Sequence, residues 1–142
     1  MAPPSSAGYS GTPLNKKLGI KEGHTVALLA APKSIADLLR EQAKVANFQT
    51  DLRGRAPLNV IVLFASTRKI FESQLLKARK RLAQDGGLWV AWPKKASGVV
   101  TDMTENAVRD VALPTGLVDN KVCAIDQTWS GLRLVIRVAN RK

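Results

Sequence analysis

The chain has 142 residues, 45% of them hydrophobic, which suits one domain able to bury a single core. No apolar run approaches the roughly eighteen residues of a transmembrane helix, and the lone cysteine, Cys123, excludes an internal disulfide and fits a reducing, cytoplasmic setting. A formal charge of +11 favours an anionic partner, whether a small ligand, an acidic protein segment or nucleic acid.

In chain order, residues 1–8 are small and rich in Pro and Ser, and lack the charged and apolar regions of a signal peptide. They are expected to form a disordered start, with one domain over residues 9–142. Leu14, Leu18 and Ile20 mark a short amphipathic turn ending near Gly19. Residues 24–31 predict a first buried strand, stopped by Pro32. Ser34 is placed to cap the next helix, with Asp37 near its positive end and Ile35, Leu38, Leu39 and Val45 as its apolar stripe. Residues 47–57 read as a loop carrying Asp51, Arg53 and Arg55.

Residues 58–65 are β-branched and almost wholly apolar, the pattern of a parallel strand covered on both faces. Ser66 or Thr67 caps a long helix running to about Gln84, with Phe71, Leu75, Ala78 and Leu82 on one face. Leu76 falls on its polar side without explanation, and Lys77, Arg79, Lys80 and Arg81 read as a solvated basic face. Gly86 and Gly87 are expected to end that helix, one of them in the left-handed conformation. Residues 88–92 predict the central strand, with Trp89 and Trp92 as core residues; Pro93 stops it, and Lys94, Lys95, Ser97 and Gly98 form a polar loop. Thr101 or Asp102 caps a third helix that has Glu105 in its first turn and turns Val108, Val111 and Ala112 inward. Residues 121–126 and 132–138 make a closing hairpin, with Gly131 available for positive φ in its turn and the last strand able to pair with another copy.

Right-handed crossovers turn this order into an α/β fold. The prediction is a single-domain, reduced Rossmann-like sheet of about five strands, four parallel plus an antiparallel last strand in a C-terminal hairpin, with helices on both faces. Every loop that follows a parallel strand then opens on one edge. That edge collects Lys33; Ser66, Thr67 and Arg68; Lys94, Lys95 and Ser97; and the hairpin turn with Trp129. Helix N-termini point there as well, so the rim attracts anions. The cations would hold charge and the hydroxyls hydrogen bonds, while Trp129 either walls a ligand site or caps the sheet edge.

No catalytic set, metal site or cofactor is assigned. His24 is the only histidine, and no serine or cysteine with a partnering acid can be placed around it. Cys123 reads as a small core residue. The favoured function is a non-catalytic binding module for a phosphorylated small ligand or acidic partner, with nucleic-acid binding through the basic helix and rim as an alternative.

The strings Tyr9-Ser-Gly-Thr-Pro-Leu, Lys17-Leu-Gly-Ile, Gly87-Leu-Trp-Val-Ala-Trp-Pro-Lys-Lys-Ala-Ser-Gly and Asp126-Gln-Thr-Trp-Ser-Gly-Leu-Arg-Leu-Val-Ile-Arg resemble a family of small stand-alone bacterial proteins that has no assigned biochemistry. From Leu58 onward the chain also resembles the second half of Rossmann-like methyltransferases. It departs from them where a methyl donor would bind: the turn Ala30-Ala-Pro-Lys-Ser-Ile has no glycine, and no second strand is predicted to end in an acid. Asp51, the only candidate acid, falls in a predicted loop, and two strands of that fold are expected to be missing; what the resemblance implies, as a further alternative, is a degenerate methyltransferase-like enzyme.

Overall fold

Two apolar runs of the sequence form the middle of the sheet. In the computed structural model, which describes residues 11–142, they are β3 (Leu58–Phe64) and β4 (Leu82–Pro93), paired in parallel. Around them lie α1 (Leu14–Lys17), β1 (Thr25–Leu29), α2 (Lys33–Gln42), β2 (Asn47–Gln49), α3 (Arg68–Arg81), α4 (Glu105–Ala112), β5 (Leu117–Ala124) and β6 (Trp129–Ile136). The disordered start expected over residues 1–8 lies outside the described residues.

The sheet has six strands in the order β2-β1-β3-β4-β6-β5. The first four strands are mutually parallel; β6 runs against β4, and β5 runs against β6, so β5 shares the common direction. The predicted α/β, Rossmann-like class holds with one more strand than expected. The addition is β2, inside the segment read as a loop, whose three residues are too few to show a periodicity. It pairs with β1 through Thr25–Asn47 and Ala27–Gln49. One of the two strands expected to be missing is therefore present. The last strand in sequence is an inner one, and β2 and β5 form the edges.

Strand alternation divides the core between two helical layers. Ala27, Leu29, Ile61, Leu63, Leu88, Val90, Trp92, Leu132 and Leu134 pack towards α3 and α4. Val26, Leu28, Val60, Val62, Trp89 and Ala91 pack towards α1 and α2. On that second face the Trp89 indole N–H donates to Leu18 O at 3.0 Å, and Lys17 Nζ donates to Ala124 O at 3.1 Å. These bonds pin the short α1 across β4 and β5. Asn15 N donates to Gln42 Oε1 at 2.9 Å, tying α1 to the end of α2 as well.

Several local expectations are corrected. Helix α2 begins at Lys33 behind Pro32 and has no side-chain cap, so Ser34 lies inside it. Of its expected stripe only Ile35 and Leu39 are buried; Leu38 is largely exposed, and Val45 lies beyond the helix. The cap of α4 is Thr104, whose hydroxyl accepts from Ala107 N. Thr101 instead donates to Ser66 O at 2.6 Å, and Asp102 Oδ1 accepts from Arg68 N at 2.7 Å. Asp102 thus caps α3, with Thr67 accepting from Ile70 N.

Helix α3 stops at Arg81, and neither Gly86 nor Gly87 has positive φ. Both lie in β4, where the reason for glycine is close approach. A Cβ on Gly86 would stand 2.8 Å from Asn59 O, and one on Gly87 would stand 2.5 Å from Arg133 Nε. Gly131 likewise lies within β6, against Trp89 and Ile125. The hairpin turn is closed by Asp126, whose Oδ1 accepts from Thr128 N and Trp129 N, both at 2.8 Å.

Candidate functional site

The carboxyl ends of β1, β3, β4 and β5 open on one edge, as predicted, and the unpredicted β2 ends on the same edge. Pro93 pairs with Trp129, and Lys94 N donates to Thr128 O at 2.7 Å, so the loop after β4 and the hairpin turn are neighbours. Most rim groups are already engaged. Lys33 Nζ meets Asp37 Oδ2 at 2.6 Å, a bond that also raises the pKa of Lys33. Arg68 Nε meets Glu72 Oε2 at 3.0 Å. Thr67 spends its hydroxyl on the helix cap, and Ser97 donates to Lys94 O at 2.6 Å while accepting from Val99 N. Ser66 contributes its carbonyl to Thr101.

Lys94 and Lys95 form no ion pair among the described residues. Lys95 lines a cleft of about 580 Å³ with Trp92, Val99, Val100, Met103 and Glu105, on the α3/α4 side. Trp129 packs on the other side, edge-on to Phe64 with ring centroids 5.1 Å apart. Lys94 lies close enough to the Cys123 thiol to act on it, with Lys17 and Lys121; burial nevertheless prevails and pushes that thiol up.

A further cleft, of about 330 Å³, lies beyond β1 and β3 and is lined by Leu29, Ala30, Asp51, Leu52, Phe64 and Lys77. Asp51 stands two residues beyond the carboxyl end of β2, a placement hidden while 47–57 read as loop. Its carboxylate is held by Arg53, from whose N Oδ1 accepts at 3.1 Å. Ala30 has φ 57°, a left-handed conformation that costs a non-glycine residue about 1 kcal/mol. The turn therefore has the backbone hand of a glycine-rich loop, but carries a methyl group where glycine would admit a ligand.

The basic end of α3 is not simply a solvated face. Arg81 donates to Leu52 O, Arg53 O and Ala56 O, lashing the β2–β3 connection to the helix. A second concentration of cations, which the sequence did not reveal, lies on the α1/α2 face around Arg133, with Lys16, Lys21 and Lys121. Alternation placed Arg133 on a wetter face, but its partners come from segments far apart in sequence. The close approach of Gly87 was the one available signal. Among the described residues no cluster of histidine, cysteine and carboxylates could hold a metal ion. No helix among them is long and apolar enough to cross a membrane.

Solved structures define the class of fold. The chain is similar to a Sulfolobus solfataricus protein provisionally assigned as a type 11 methyltransferase, with TM-score 0.58, 12% identity, and 89% and 91% of the two chains covered. It is similar to the ribosomal protein L11 methylase of Lactobacillus delbrueckii subsp. bulgaricus (TM-score 0.56, 12% identity, 87% and 75% covered). A SAM-dependent methyltransferase from Aquifex aeolicus gives TM-score 0.55 at 16% identity, over 85% and 86% of the chains. At such identities the likeness shows the Rossmann-like methyltransferase fold. No curated protein matches the chain. The chain belongs to the DUF3052 family, proteins of unknown function, whose model matches residues 15–138.

Proposed function

We propose that the chain is a non-catalytic binding module that takes an anionic ligand at the carboxyl edge of its sheet, centred on Lys94 and Lys95. The observation that carries this reading is the contrast among the rim cations. Lys33 and Arg68 are neutralised by carboxylates one helical turn away, whereas Lys94 and Lys95, at the end of the central strand, have no such partner among the described residues. Ligands in open α/β sheets bind at this edge. The methyl group of Ala30, at a turn where methyltransferases bring backbone against their donor, supports a binding role over methyl transfer.

The test is a thermal-shift series with inorganic phosphate and nucleoside monophosphates, at low and high salt. A ligand that stabilises the wild-type chain should lose its effect on the Lys94→Glu/Lys95→Glu double variant, while the ligand-free midpoint stays within a few degrees. A full ligand response in the double variant would remove the assignment.

A further inference from the structure

We propose a second binding site, separate from the carboxyl rim: the cleft around Arg133 on the α1/α2 face, which takes the diphosphate group of a small molecule. Its volume is about 400 Å³, within the roughly 300–1,000 Å³ of small-ligand sites. It lies towards the amino ends of the parallel strands, with His24 just before β1, Asn59 in β3 and Gly86 in β4, and α1 with its following loop as one wall.

Arg133 is the floor of this cleft. Its guanidinium is half-buried and forms no ion pair among the described residues; its one hydrogen bond there is a long one, 3.4 Å from Nη1 to Asn120 Oδ1. Burial, and secondarily Arg141, disfavour its charge. A partly desolvated cation left without an anion is costly, and a salt bridge or a ligand is the usual remedy. Here the chain makes room for the group without neutralising it. Gly87 lies flat beneath it, since any Cβ there would strike Nε. The register of β5 against β6 slips between Asp119 and Lys121, setting Asn120 out of the ladder and beside Arg133. Bulges of this kind re-aim side chains near sites.

The surroundings set the ligand class. Lys16 and Lys21, from α1 and the loop after it, and Lys121, from β5, form no ion pair among the described residues. His24 Nδ1 accepts from Lys21 N at 3.1 Å, so the neutral ring carries its proton on Nε2, as a donor. Asp85 is the single carboxylate among the lining residues. So many cations suit a ligand of more than one negative charge, and a planar guanidinium can grip two phosphate oxygens together. The lining contains no Trp, Tyr or Phe. Strand-binding proteins stack bases on such rings, so the site favours a small diphosphate over a nucleic-acid chain.

The experiment is calorimetric titration of the full chain with inorganic pyrophosphate, ADP and decathymidylate at fixed ionic strength. Pyrophosphate or ADP should bind saturably. Arg133→Met, which keeps the apolar stem, should weaken that binding at least tenfold while the unfolding midpoint is kept or raised. Lys121→Glu, at an exposed position, repeats the test without touching the interior. Tighter binding of ADP than of pyrophosphate assigns the diphosphate to an organic ester; the reverse assigns it to the inorganic ion. In the Lys94→Glu/Lys95→Glu background, where the rim no longer contributes anion binding, a saturable binding phase that is lost on adding Arg133→Met should persist, which separates this site from the rim; its absence there would overturn the proposal. Absence of binding, equal affinity in the Arg133 and Lys121 variants, or displacement of the diphosphate by decathymidylate would overturn the proposal.

Discussion

At the scale of single residues, burial and charge compete visibly at Cys123. Its thiol packs beside the α1/α2 core, and desolvation raises its pKa above the ordinary 9.0 even though Lys17, Lys121 and Lys94 pull the other way. The consequence is a sluggish thiol. Alkylation by iodoacetamide at pH 8 should be slower for the folded chain than for the urea-unfolded one, and the folded rate should still be climbing beyond pH 9. The thiol's contribution to stability has the matching sign: it is complete below 9.0 and declines as pH rises through the higher folded value. A folded chain that reacts as fast as the unfolded one would show that the lysines prevail. Lysine-rich surroundings were visible in the composition. Which lysines reach the sulfur was not, because Lys17 and Lys94 lie far from Cys123 in sequence.

Among the elements, helix starts show how local chemistry is settled by distant chain. Thr67 caps α3 as a residue of its type should, but the same helix end also takes Asp102 Oδ1 on Arg68 N, from a residue that sequence spacing had assigned to the following helix. Each cap should contribute about 1 kcal/mol. Asp102→Ala and Thr67→Ala should each lower the urea midpoint by a corresponding amount. The double variant should deviate from the sum, because both act on one helix terminus. An Asp102→Ala chain as stable as the wild type would show that the bond contributes nothing.

The long elements were legible for a simple reason. Residues 58–65 are apolar at every position but one, and α3 repeats its apolar positions with helical period. The three-residue β2 and the exchange of caps among Thr101, Asp102 and Thr104 were not legible, because each depends on pairing across the fold. Gly86 and Gly87 misled for a related reason: glycine marks a helix end or a close approach equally well, and only the partner strand distinguishes them.

For the molecule as a whole, the rim was readable because strand direction alone brings its loops together. The Arg133 cleft was not, because it needs α1 laid across β4 by Trp89 and a slipped register in β5. The two flanks of the sheet have a bearing on how the protein behaves in a crowded solution. One border is only three residues long; the other is kinked and sets Asn120 and Lys121 in the open. Neither offers a long flat ribbon of unpaired amides for another chain to extend. Sedimentation at rising concentration should therefore find a single particle mass and no growth into fibres. Replacing Lys121 with valine, beside the already exposed Val122, should be enough to start such growth.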